Sequence, residues 1–136
     1  MKFVIFCLLF LSFSAQARLF LDISVINKKG IDIGLTLGSE LHSVEEVREK
    51  APIKLAMKSG IKVEISAEFL EERNGEHTSY GPNPEVIVRG KIFDDSGAVL
   101  KNFDETPLKV RLEEIVNITY SQNSQLVEVR VKPYLK

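Results

Sequence analysis

Ile61-Lys62-Val63-Glu64-Ile65-Ser66-Ala67-Glu68-Phe69 is the stretch that decides the fold. Its odd positions are apolar or small; its even positions are charged or polar. Side chains of a β-strand point alternately to opposite faces, so this period of two marks a strand with one buried and one wet face. The same alternation runs through Leu19, Leu21, Ile23 and Val25, and through Ile31, Ile33, Leu35 and Leu37. β-branched residues dominate these segments and suit a pleated surface.

Turn residues propose the registers. Asn27-Lys28-Lys29-Gly30 has asparagine first and glycine fourth, which fits a hairpin loop closed by a left-handed glycine. That reading sets Val25 opposite Ile33 and Ile23 opposite Leu35. Asp94-Asp95-Ser96-Gly97 repeats the signature and sets Asp94 against Ala98, Phe93 against Val99 and Ile92 against Leu100. Near the end, 108–120 reads as one strand with an apolar row on its even positions. A turn at Gln122-Asn123 places Ile118 opposite Val127 and Val116 opposite Val129, and pairs Glu113 with Lys132. Glu114 breaks the apolar row, and a β-bulge there would turn it outward. Ser43-Val44-Glu45-Glu46 reads as a capping box opening a short helix that ends near Lys50, ahead of Pro52.

About seven to eight short strands with one short helix predict an all-β fold: an antiparallel β-sandwich, immunoglobulin-like in one version, with a small β-barrel as the alternative. The N-terminus carries a different message. Met1-Lys2, an apolar run from Phe3 to Leu11, and Ala15-Gln16-Ala17 form a secretory signal peptide over residues 1–17, with cleavage before Arg18. Residues 18–136 then make a single domain. The one cysteine, Cys7, falls inside the leader, which leaves the exported chain without thiol chemistry. A thiol-free exported domain of this size fits the bacterial periplasm, with an extracellular location as the other option.

Removing Lys2 with the leader leaves 17 basic against 19 acidic residues, interspersed along the chain. No basic stripe predicts a nucleic-acid partner, and no second apolar run predicts membrane insertion after cleavage. No histidine pair has zinc spacing, and no glycine-rich phosphate cradle follows a strand, so neither metal nor cofactor is expected. Asp94, Asp95 and Asp104 read as turn chemistry before they read as calcium ligands.

The longest irregular segment, 71–85, contains Arg73, His77, Tyr80 and Asn83, shaped by Gly75, Gly81, Pro82 and Pro84. Long loops carry function, and tyrosine and arginine anchor interfaces, so these four residues are the candidate binding site; a plain surface loop is the competing reading. No nucleophile motif surrounds His77. The expected function is therefore non-catalytic: a binding or interaction module for a protein or envelope component. The alternatives are a small carbohydrate-binding or hydrolase domain using the 71–85 loop, and an assembly or folding factor for another exported protein. A free edge on the terminal hairpin would allow strand addition, with Lys132, Pro133 and Lys136 blunting it against aggregation.

Overall fold

A computed structural model of the chain describes residues 18–30, 37–48, 51–70, 72–74, 77–79 and 84–136. The leader segment 1–17 lies outside the described residues. The strands are β1 (Leu19–Lys29), β2 (Leu37–Glu46), β3 (Ile53–Ala56), β4 (Lys62–Phe69), β5 (Glu72–Asn74), β6 (His77–Ser79), β7 (Glu85–Phe93), β8 (Val99–Asn102), β9 (Leu108–Arg111), β10 (Val116–Gln122) and β11 (Gln125–Leu135). They exceed the expected seven to eight because short ribbons add to the long strands.

One antiparallel sheet has the order β10-β11-β1-β2. The second has β3-β4-β7-β8, with β9 pairing the other half of the same β7 edge. The two sheets do not close into a barrel, and the fold is an all-β sandwich. Long strands neighbour their predecessors in sequence, and β11 returns to pair with β1. The order is that of a circular meander laid into two layers, which departs from the Greek-key order of immunoglobulin domains.

The core lies between the layers. Leu21, Ile23 and Val25 from β1 and Val127, Val129 and Val131 from β11 are fully buried against Val63, Ile65, Val86, Val88 and Ile92 of the second sheet. The alternation read in 61–69 is realised: Ile61, Val63 and Ile65 are buried while Lys62 is exposed.

The expected helix at 43–50 is overturned, since no helix occurs among the described residues and Ser43 to Glu46 belong to β2. Ser43 Oγ donates to the Glu45 carboxylate at 2.6 Å instead of capping a backbone amide. A two-turn helix is marginal alone, whereas β2 gains a continuous ladder from Lys29↔Leu37 to Phe20↔Glu46.

The first hairpin also differs from expectation. Val25 faces Leu41 and Ile23 faces Ser43, so β2, and not 31–37, is the partner of β1. Residues 31–36 lie outside the described residues. Gly30 is left-handed as anticipated (φ 77°), but its N–H donates to Ser124 O at 2.9 Å. Asp94 accepts the expected turn: Asp94 N donates to Ala98 O, Phe93 pairs with Val99 and Gly97 has φ 88°. Past Phe93 the register shifts, and Ile92 faces Lys101 rather than Leu100.

The segment 108–120 is two strands, not one. The chain turns at 112–114, where Glu114 N donates to Arg111 O at 3.2 Å and Glu113 adopts φ 70°. This corner carries it from β9 in the second sheet to β10 in the first; such corners are built from bends and bulges. Glu114 is exposed, as a local irregularity predicted. The final turn falls at Asn123-Ser124, one residue later than expected, so Ile118 faces Val129 and Val116 faces Val131. A two-residue change of register keeps every side chain on its predicted face. Glu113 and Lys132 form the anticipated ion pair at 3.7 Å. Strand β11 is central only as far as Val131, so the free edge of the terminal hairpin is β10, and Lys132, Pro133 and Lys136 lie past it. Pro133 is accommodated because its carbonyl faces the corner, accepting from Glu113 N at 2.8 Å, where β10 has already left the ladder.

Candidate functional site

The segment 71–85 contains a small ribbon. Strands β5 and β6 pair antiparallel, with Glu72↔Ser79, Arg73↔Thr78 and Asn74↔His77. Arg73 and His77 thus occupy successive rungs of one hairpin inserted between β4 and β7. Tyr80 and Asn83 lie outside the described residues.

On the outer face of the second sheet the structure forms a groove that no sequence pattern marks. Its floor is the outer face of β4 and β7, and its wall is the crossover from β2 to β3. Outward positions Glu64, Ser66 and Glu68 on β4 and Ile87 and Arg89 on β7 meet Arg48, Ala51 and Pro52 across a space of about 620 Å³. Arg48 and Ala51 form an isolated bridge that shapes the wall. Strand alternation turns these side chains outward, because the intervening residues Ile65, Val86 and Val88 are in the core.

The groove alternates in charge. Arg89 Nη2 stands 3.8 Å from Glu68 Oε1, and Arg89 Nη1 donates to the Asp104 carbonyl at 3.2 Å. Lys91 Nζ lies 3.8 Å from Asp104 Oδ2. Among the described residues Arg48 has no ion-pair partner and is exposed. Glu64 and Glu68 are four residues apart on one strand, which sets their α-carbons about 13 Å apart. That chemistry suits recognition of a polar, mixed-charge surface. The groove was not legible because Arg89 meets Glu68 through the long-range pairing of β4 with β7.

The outer face of the first sheet carries a second group. Phe20 and Tyr134 stack at 5.7 Å with the Lys136 ammonium 5.9 Å from the Phe20 ring centre. His42 Nε2 meets Asp22 Oδ1, and Arg18 lies 3.5 Å from Glu46. Asp94 is occupied by its turn: its Oδ1 accepts from Ser96 N, Ser96 Oγ and Ala98 N. These bonds, the Ser96 hydroxyl foremost, hold its carboxyl below the ordinary 3.8.

Fold and site together define a two-layer antiparallel β-sandwich with a charged groove on one outer face. No family model, curated protein or solved structure matches the chain.

Proposed function

We propose that the protein is an exported, non-catalytic binding module for a protein or envelope component of the bacterial periplasm. The observation that carries this reading is the groove between the Arg48–Pro52 crossover and the outward rows of β4 and β7. It is open and lined by both signs of charge, and its floor is made of strands. Polar, shallow surfaces on rigid elements recognise macromolecules, whereas small-molecule sites are mostly enclosed and apolar. Export is supported by the leader pattern of 1–17.

The test is site-specific photo-crosslinking in the native cell with the probe at Ser66, against a control probe at Thr119 on β10. The expected result is a discrete adduct from Ser66 that Arg48→Glu with Arg89→Glu removes. Equal labelling from both probes, unaffected by the charge reversals, counts against the proposal. N-terminal sequencing of the periplasmic fraction checks export and is expected to begin at Arg18.

A further inference from the structure

We propose that the outer edge of β2 is a docking site for an extended basic segment of a partner protein, added as a fifth strand to the sheet β10-β11-β1-β2. The proposal rests on the binding-module reading above but assigns a surface distinct from the groove.

The edge follows from the ladder. Val47 N donates to Leu19 O at 2.8 Å, and successive residues of a strand direct their backbone groups to opposite sides. Ser39, Leu41, Ser43 and Glu45 therefore turn toward β1. Gly38, Glu40, His42, Val44 and Glu46 turn their N–H and C=O groups away from it, and no described strand receives them. Unpaired edges of this kind template strand addition unless they are short, covered, or interrupted. Among the described residues the other edges of the two main sheets are short or partly occupied. Strands β3, β8 and β9 have four residues each. Strand β10 has seven residues, and its outward Thr119 carbonyl is already taken by Lys101 Nζ at 3.1 Å. Strand β2 runs ten residues with continuous register and contains no proline or lysine.

Charge selects the partner. Residues 37–46 hold Glu40, Glu45 and Glu46 and no lysine or arginine. Among the described residues Glu46 is 3.5 Å from Arg18 and Glu45 accepts from Ser43 on the inner face, while Glu40 stands exposed on the outer row without an ion pair. Val44 is 48% exposed between them. An antiparallel strand would therefore set, at alternate positions, a basic residue beside Glu46, an apolar residue beside Val44, a small polar residue beside His42 and a basic residue beside Glu40. Direct cross-strand pairs of this kind are favourable, and like charges there are not. On the inner face, Ser39 Oγ is buried without a hydrogen-bond partner, and an incoming polar side chain beside it would supply one.

The test uses the 18–136 protein and a synthetic peptide of pattern Lys-x-Val-x-Thr-x-Lys. Hydrogen exchange is expected to show new protection at the amides of Glu40, His42 and Val44, with Ser39, Leu41 and Ser43 already protected. Glu40→Lys should weaken binding by about tenfold and favour the peptide with glutamate in place of lysine. Val44→Pro removes an outward N–H and should abolish binding; if that variant loses its circular dichroism spectrum, Glu40→Lys, which leaves the β1 ladder intact, decides. No protection at about 1 mM peptide, about three orders weaker than a micromolar site, overturns the proposal. So does protection of those amides in a peptide-free dimer, which would give the edge to a second copy of the chain. Chemical-shift changes confined to the groove residues Ser66 and Arg89, without protection on β2, overturn it too but leave the binding-module reading standing, whereas loss of specific crosslinks at Ser66 strikes that reading alone.

Discussion

Asn27 Nδ2 donates to Ser59 Oγ at 3.1 Å, joining the end of β1 in one sheet to the 57–60 turn that precedes β4 in the other. Asn27 is only 2% exposed, and its Oδ1 accepts from Gln125 Nε2 at 3.3 Å. A buried amide whose donor and acceptor are both used fixes the layers' relative position in a way that methyl packing alone does not. The asparagine that signals a turn in the sequence is thus the polar rivet of the sandwich.

Asn27→Ala should destabilise the fold by about 1–3 kcal/mol, because it leaves the Ser59 hydroxyl and the Gln125 amide without their partner. Urea unfolding of Asn27→Ala, Ser59→Ala and the double variant measures this. The double variant should lose less than the sum of the singles, since each change removes the same bond. Strict additivity would show that the bond contributes nothing.

Gly90 is the most tightly enclosed glycine among the described residues. A Cβ there would sit 1.9 Å from the Glu64 carbonyl oxygen and 2.7 Å from the Phe103 ring, which packs over the glycine while Phe103 N donates to Gly90 O at 2.8 Å. Gly90→Ala should cost about 1–3 kcal/mol or more, the usual range for overpacking. Trimming the ring in Gly90→Ala with Phe103→Ala should not restore stability, because the Glu64 carbonyl is backbone and cannot step aside. Recovery of the wild-type melting temperature in the double variant would contradict the geometry.

What the sequence revealed follows where burial is one-sided. Strand β4 was legible because one face meets the core and the other meets water, so period two is written into 61–69. The strand at 43–46 was not, because β2 is an edge whose inner face is mixed: Ser39, Ser43 and Glu45 flank Leu41 where an apolar row would stand, and Ser43 with Glu46 has the spacing of a capping box. The break at 112–114 was hidden for a related reason. Strands β9 and β10 each alternate, and nothing local says that they alternate against different sheets. Of the candidate site, Arg73 and His77 were placed in one segment and fall on one ribbon. The groove of Arg48, Ser66, Glu68 and Arg89 depends on which strands become neighbours, a property of long-range pairing.

The β10–β11 turn offers a stabilising change. Asn123 and Ser124 both have positive φ, 52° and 62°, the geometry of a type I′ turn. Serine pays a steric penalty there that glycine does not. Ser124→Gly should raise stability by about 0.5–1 kcal/mol, and its carbonyl still accepts from Gly30 N. Thermal unfolding by circular dichroism reads the shift; a lower melting temperature would mean that the serine side chain contributes more than its backbone costs.

Asp94 gives the β7–β8 hairpin an acid-sensitive element. The Ser96 hydroxyl, the largest influence, favours the ionised carboxylate in the folded chain; desolvation opposes it, and the Ala98, Ser96 and Gly97 amides add enough to leave the pKa lowered. A carboxylate depressed on folding contributes stability that is fully present above its unfolded value of 3.8 and is lost as pH falls through the lower folded value. Between pH 7 and 5 the hairpin should therefore be insensitive to pH at this residue, and below pH 3.8 amide exchange at Ser96 and Ala98 in the turn should accelerate relative to the amides of β7. Asp94→Asn, which keeps the turn acceptor without the charge, should remove that acid-dependent difference. An NMR titration of the Asp94 carboxyl carbon supplies the direct check, and a midpoint at or above the ordinary aspartate value would show that these hydrogen bonds do not favour the ionised form.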